Sequence, residues 1–246
     1  MNKGFTKLEI ILVGIILIIA ISFVARTKIS NPKEGINPTP TKESGLCTRT
    51  TPYDNPPELA RSLSLVSERW NAPTNAPTGK GSMKNCLHLI YKDHSEMNNA
   101  EGFFSFDKNS SPNDIRIYID STYKGYDDIL TASLLKHEVI HATIYYMALE
   151  GTPPPTCVEN EVDAFYSELV FLVNLNQEEW KSITYRLTQN PHLNSAYEMT
   201  NYLLLLNKAG DDKCANNSDC WTTHVKNELK NWVSSNPYYQ KECSLN

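Results

Sequence analysis

The sequence predicts an α+β protein: an N-terminal transmembrane helix, a linker, then a small domain with a short sheet and a mainly helical C-terminal half. Three observations predict it. Ile115, Ile117 and Ile119 alternate with Arg116, Tyr118 and Asp120, the period of two expected of a half-buried strand. From about residue 127 onward, apolar residues recur at helical spacing to the end of the chain. Leu8 to Ala25 is apolar all round apart from Glu9 and Ser22, at the short end of what spans a bilayer as a helix. A few strands followed by a run of helices is the order of an α+β domain.

With 246 residues the chain has room for one membrane segment and one globular domain with its own core. A formal net charge of −5 leaves no basic excess, so no nucleic-acid partner is expected. Charged residues make up 21 %, which does not fit wholesale disorder.

The expected divisions are residues 1–28, signal and membrane helix; 29–56, a linker; and 57–246, the globular domain. The linker is rich in Pro, Thr, Asn, Lys and Gly and lacks apolar periodicity. Pro57 and Glu58 suit the first turn of a helix running to Trp70. After a Pro-, Asn- and Gly-rich loop come short strand-like runs at Leu87–Tyr91, Gly102–Phe106 and Ile115–Asp120. Helices are expected near 127–150, 157–175, 177–189, 194–208 and 221–235.

The residues flanking the apolar run carry a resemblance. Lys3-Gly4-Phe5-Thr6 followed by Glu9 resembles the N-terminal signal of type IV pilins and pseudopilins. That implies cleavage between Gly4 and Phe5, methylation of the new Phe5 amine, Glu9 kept within the membrane, and other pilin-like subunits as partners. An uncleaved signal-anchor is the alternative. Either reading places a single-pass protein in a bacterial cytoplasmic membrane with the domain outside the cytoplasm.

The cysteines agree with an oxidising compartment. Cys47, Cys86, Cys157, Cys214, Cys220 and Cys243 form no Cys-x-x-Cys pair, and their even number in loop-like segments reads as three disulfides. Local geometry suggests only Cys214–Cys220, which brackets a polar loop.

The chemistry concentrates at His137-Glu138-Val139-Ile140-His141, a His-Glu-x-x-His inside a helical pattern. Spacing of four puts both imidazoles on one face, one turn apart, where they can share a metal ion. Leu135, Val139, Ala142, Tyr146 and Leu149 form a separate apolar stripe. Glu138 is placed to act on water as a general base without ligating the metal. A catalytic zinc ion needs a third protein ligand. On the next helix Val158, Val162, Phe165, Leu169 and Leu172 make a core stripe with Glu159 and Asp163 beside it. Glu161, the alternative ligand, points roughly 200° from Glu159, toward solvent on this reading. Glu159 is therefore the expected third ligand and Asp163 the carboxylate that orients a ligand histidine.

The pair HEVIH and Glu159-x-x-x-Asp163, preceded by a strand, resembles the gluzincin branch of zinc metallopeptidases. The resemblance implies a zincin-like domain, one Zn2+ ion on His137, His141 and Glu159, Glu138 as general base, and peptide or protein substrates. The residues that stabilise the oxyanion stay open, with His192, Tyr197 and His224 as candidates. The strand Ile115–Asp120 is the expected cleft edge for an extended substrate. The contrasting reading is a minor pilin or pseudopilin whose peptidase-like domain cuts nothing; a structural metal is a third.

Overall fold

The computed structural model describes residues 47–69, 83–97, 100–105, 111–125, 128–215 and 217–243. Helix α1 (Pro57–Arg69) precedes three strands, β1 (Leu87–Lys92), β2 (Gly102–Ser105) and β3 (Ile115–Asp120). Six helices follow: α2 (Asp128–Leu149), α3 (Cys157–Val173), α4 (Gln177–Gln189), α5 (Asn194–Cys214), α6 (Ser218–Ser235) and α7 (Pro237–Glu242). The sheet order is β1-β3-β2, with β1 parallel and β2 antiparallel to β3.

The expected runs do form strands and helices, but the architecture they build differs from the predicted one. Strands of six, four and six residues make too narrow a sheet to be a layer, and the domain is mostly helical. Its centre is α2, packed against α1, α3, α4, β2 and β3. From Ile129 to Ala142 nearly every side chain of α2 is buried, not only one stripe. A helix apolar on most sides belongs in the middle of a core. Among the described residues no helix is long and apolar enough to cross a membrane, so the expected single-pass membrane protein is not supported. The segment behind that expectation, Leu8–Ala25 with Glu9 and the Gly4–Phe5 processing site, lies outside the described residues. So does the basis of the pilin-like alternative.

Packing includes residues well before Pro57. Cys47 is fully buried and bonded to Cys86, just ahead of β1. Asn55 then imitates a strand along β1, donating from Nδ2 to Leu87 O and accepting from Leu89 N–H. The other disulfides are Cys157–Cys243 and the anticipated Cys214–Cys220, so no cysteine is free.

Two devices set the approach of α3 to α2. The chain leaves α2 through Gly151 at φ 93°, a left-handed conformation that favours glycine. There Gly151 N–H donates to Ala148 O and Thr152 N–H to Met147 O, closing the helix end. After three prolines Thr156 caps α3. Its hydroxyl accepts from Glu159 N–H while the Glu159 carboxylate accepts from Thr156 N–H, a reciprocal capping box.

A buried polar chain ties the sheet to the helices. The Tyr123 hydroxyl donates to Glu101 Oε2 at 2.6 Å, and Arg186 donates to Tyr123 O at 2.8 Å and to Thr131 Oγ1 at 3.3 Å. Burial raises the Glu101 carboxyl to about 7, although the Tyr123 bond opposes the rise. A carboxyl raised on folding contributes stability fully present below its unfolded value of 4.5 and lost as pH climbs through about 7. Relative to Glu101→Gln, the wild-type chain should lose up to about 3 kcal/mol of unfolding free energy between about pH 4.5 and 8. Urea titrations across that range check this; parallel pH profiles for the two proteins would contradict it.

Candidate metal centre

Two adjacent turns of α2 and one of α3 build the site. His137 and His141 stand one turn apart, their ring centroids 4.9 Å from each other. Facing them across the α2–α3 seam is Glu161. Its Oε2 lies 3.5 Å from His137 Nε2 and its Oε1 lies 3.7 Å from His141 Nε2. One donor atom from each of the three residues falls within 4.8 Å of the other two, a group able to hold a metal ion.

The outward nitrogens are also engaged. Nδ1–H of His141 donates to Asn160 Oδ1 at 2.9 Å. Glu168 Oε2 sits 3.5 Å from His137 Nδ1, at ion-pair range without hydrogen-bond alignment. An acceptor behind Nδ1 leaves the Nε2 lone pair directed at the metal position and fixes the ring.

Charge at the site is strongly coupled. Burial works against a charged His137, but the Glu161 and Glu168 carboxylates outweigh it and lift its pKa to about 10. Burial and the neighbouring His137 lower His141. Burial opposes ionisation of Glu161 as well, yet the two histidines hold its pKa below the ordinary carboxylate value. Acids that ionise around two imidazoles create a pocket that favours a cation.

Glu138 stands beside this group and is not one of its three members. It is buried, and that burial pushes its carboxyl to about 7. The Phe104 N–H of β2 donates to it. A β-carbon at Gly102 would come within 3.0 Å of Glu138 Oε1, so glycine is what lets β2 approach this closely.

The sequence placed His137, Glu138 and His141 together, and the structure brings them together. Glu159 is elsewhere: half its side chain is exposed, it caps its own helix, and Lys230 of α6 lies 3.8 Å away. Asp163 touches neither histidine and accepts from Lys226 at 2.7 Å. The two acids pair with two lysines one turn apart on α6, so their side of α3 forms the α6 seam. The physical reason is two-sided burial. α3 packs on both α2 and α6, and Ala164, Phe165, Glu168 and Leu172 continue a second buried face from Glu161. Sequence reasoning took α3 to have one stripe and sent Glu161 toward solvent. Thr156-x-x-Glu159 was the available signal against Glu159, because a capping box already engages that carboxylate. Nothing in the sequence marked Asn160 or Glu168.

The candidates for oxyanion stabilisation sit on different elements of the helical half. His192 is exposed on a turn, His224 neighbours Lys213, and Tyr197 packs on the core. The expected cleft edge is corrected too. β3 is the central strand, paired on both sides, whereas β2 has an unpaired edge among the described residues and borders Glu138. Compared with protein families, curated proteins and solved structures, the chain shows no match.

These contacts separate the two acids experimentally. Glu161→Gln should abolish stoichiometric metal binding, whereas Glu159→Gln should leave it intact. Asn160→Ala and Glu168→Gln should each weaken it by about 10–100-fold. Competition with a chromophoric chelator measures all four, and metal loss in Glu159→Gln alone would contradict the assignment.

Proposed function

We propose that the protein is a zinc-dependent peptidase, with the ion held by His137, His141 and Glu161. The observation that carries this reading is the number and kind of groups that converge. Structural zinc sites usually take four protein ligands and catalytic ones take three, leaving a position open. Here two imidazoles and one carboxylate meet, and a second buried carboxylate stands next to them outside the set.

The donor atoms suit zinc. Donors about 2.0–2.1 Å from a tetrahedral ion lie roughly 3.3–3.4 Å apart. The carboxylate oxygens of Glu161 lie 3.5 and 3.7 Å from the two imidazole nitrogens. Bound there, zinc lowers the pKa of a coordinated water to about 7 and polarises a carbonyl oxygen.

The chain's own residues supply the rest. Glu138 accepts a proton from the attacking water and delivers it to the amine that leaves. A carboxyl raised to about 7 suits both halves of that task, since its affinity for the proton is close to balanced near neutral pH. The Phe104 N–H steadies the carboxylate, and Gly102 keeps β2 close enough to do so. Phe104 also stands beside His141, ring centroids 6.5 Å apart, so β2 follows the site from the general base to a ligand. Its unpaired edge offers N–H and C=O groups to an extended peptide.

The test separates metal binding from turnover. The full-length chain, loaded with zinc, should contain about one ion and digest an unfolded protein. Glu138→Gln should retain the zinc and lose kcat by roughly 10²–10⁴-fold. A chain that holds zinc and cuts neither an unfolded protein nor a peptide library would defeat the reading.

A further inference from the structure

The three disulfides differ in what can reach them. Cys47 and Cys86 are both fully buried. In the Cys214–Cys220 bond, Cys214 is buried and Cys220 half-buried. Cys157 alone among the six cysteines is exposed, and its partner Cys243 is half-buried. Thiol–disulfide exchange needs a thiolate to approach a sulfur directly, so access decides which bond a reductant opens.

The accessible bond is also the one tied to the metal centre. Cys157 opens α3 one helical turn before Glu161, and Cys243 closes α7. Helix α7 has six residues, none of them buried, and a helix that short does not hold itself together in water. Asn236 caps its start by accepting from Tyr238 N–H, and the disulfide fastens its end. Between the two, the Tyr239 ring meets Phe165 at 5.7 Å and Trp232 at 5.5 Å. Phe165 in turn packs edge-on against His137, ring centroids 4.4 Å apart. The disulfide thereby keeps Tyr239 behind Phe165, and Phe165 against a ligand histidine.

We propose that this bond is a redox control on the metal centre: a dithiol that reduces Cys157–Cys243 frees α7 and weakens metal binding by His137, His141 and Glu161. The exchange balances between the two partners. One thiolate of the reductant attacks Cys157 Sγ and expels the Cys243 thiolate, leaving a mixed disulfide. The second thiolate then displaces Cys157, whose charge falls in the first turn of α3, where the helix N-terminus stabilises it. The reductant leaves as its internal disulfide, two electrons pass to the protein, and both cysteines take up protons. The start of α3 then keeps its exposed Thr156–Glu159 capping box without the covalent anchor. Control of this kind rests on the metal-centre reading, whatever the bound ion catalyses.

Graded dithiothreitol on the full-length chain, followed by capping of thiols with iodoacetamide and removal of both reagents, tests this. Peptide mapping should find Cys157 and Cys243 capped while the other two bonds stay intact. Chelator competition should then show zinc held about 10–100-fold more weakly than by the untreated chain, with circular dichroism nearly unchanged. Reoxidation before capping should restore the affinity. The double variant Cys157→Ser, Cys243→Ser should bind zinc as weakly as the capped chain and not respond to the same dithiothreitol. Earlier opening of another disulfide, or untreated affinity in the capped chain, would overturn the inference. Loss of helical structure throughout the capped chain would do so too, because the bond would then be a staple of the whole fold. Where the double variant does not fold, the capped wild-type chain decides. Unchanged affinity on capping leaves the metal centre standing, whereas an untreated chain that holds no zinc removes the metal-centre reading and the control with it.

Discussion

Carboxylates from two helices, buried Glu138 of α2 and Glu168 of α3 with half-buried Glu161 of α3, gather around the imidazoles of His137 and His141. Acids taken from water this way are tolerated only when cations or hydrogen-bond donors answer them. Within the chain, His137 is the answering cation, held protonated by the carboxylates on either side of it. A divalent ion between the imidazoles and Glu161 would answer the same charge more fully. The α2–α3 seam is therefore both the middle of the core and the place where a cation is favoured.

That constraint explains the effort spent on where α3 begins. Its first turn is fixed by the Gly151 exit from α2, by the Thr156–Glu159 capping box, and by Cys157 in a disulfide. A rotation of α3 about its axis by one residue, roughly 100°, would carry Glu161 off the histidines and set Val162 in its place. The salt bridges from Lys226 and Lys230 to Asp163 and Glu159 are half-exposed and contribute little energy each. They do mark the rotation, because only one setting of the helix pairs both acids while Glu161 faces inward. The Cys157–Cys243 loop spans 86 residues, and closing it stabilises the fold by about 4–5 kcal/mol in the chain-entropy account.

Local rules made part of this legible. The His-Glu-x-x-His spacing depends only on helix geometry, so His137, Glu138 and His141 were readable without knowing what the helix packs against. The strands and helices follow from period and punctuation in the same way. The third ligand depends on which side of α3 meets α2, and that is a tertiary fact. A helix buried on two sides shows a stripe for each, and α3 looks singly amphipathic only because acids occupy part of its second face. Glu161 reads as solvent-facing for that reason. The central position of α2 was obscured similarly, since Lys136, His137, Glu138 and Thr143 interrupt what is otherwise an apolar helix. The sheet misled in the other direction. Three short runs suggested an α+β layer, but strand order is set by pairing across the chain, and it put Ile115–Asp120 in the middle, where no substrate can pair.

The strand that does border the site is the least buried and the shortest of the three, and its position follows from a single missing methyl group. β2 begins at Gly102, immediately after the buried Glu101, and a side chain there would collide with Glu138. Without that contact, β2 would stand farther from α2, and the Phe104 N–H would no longer reach the Glu138 carboxylate. The Glu138 carboxylate, the free strand edge and the ring beside His141 are thus positioned together by one segment of four residues. Phe165 packs edge-on against His137, and Trp232 and Tyr239 pack edge-on against Phe165 to form an aromatic wall. A ligand cluster between a strand edge and an aromatic wall has two unlike sides. One presents backbone groups; the other presents aromatic rings.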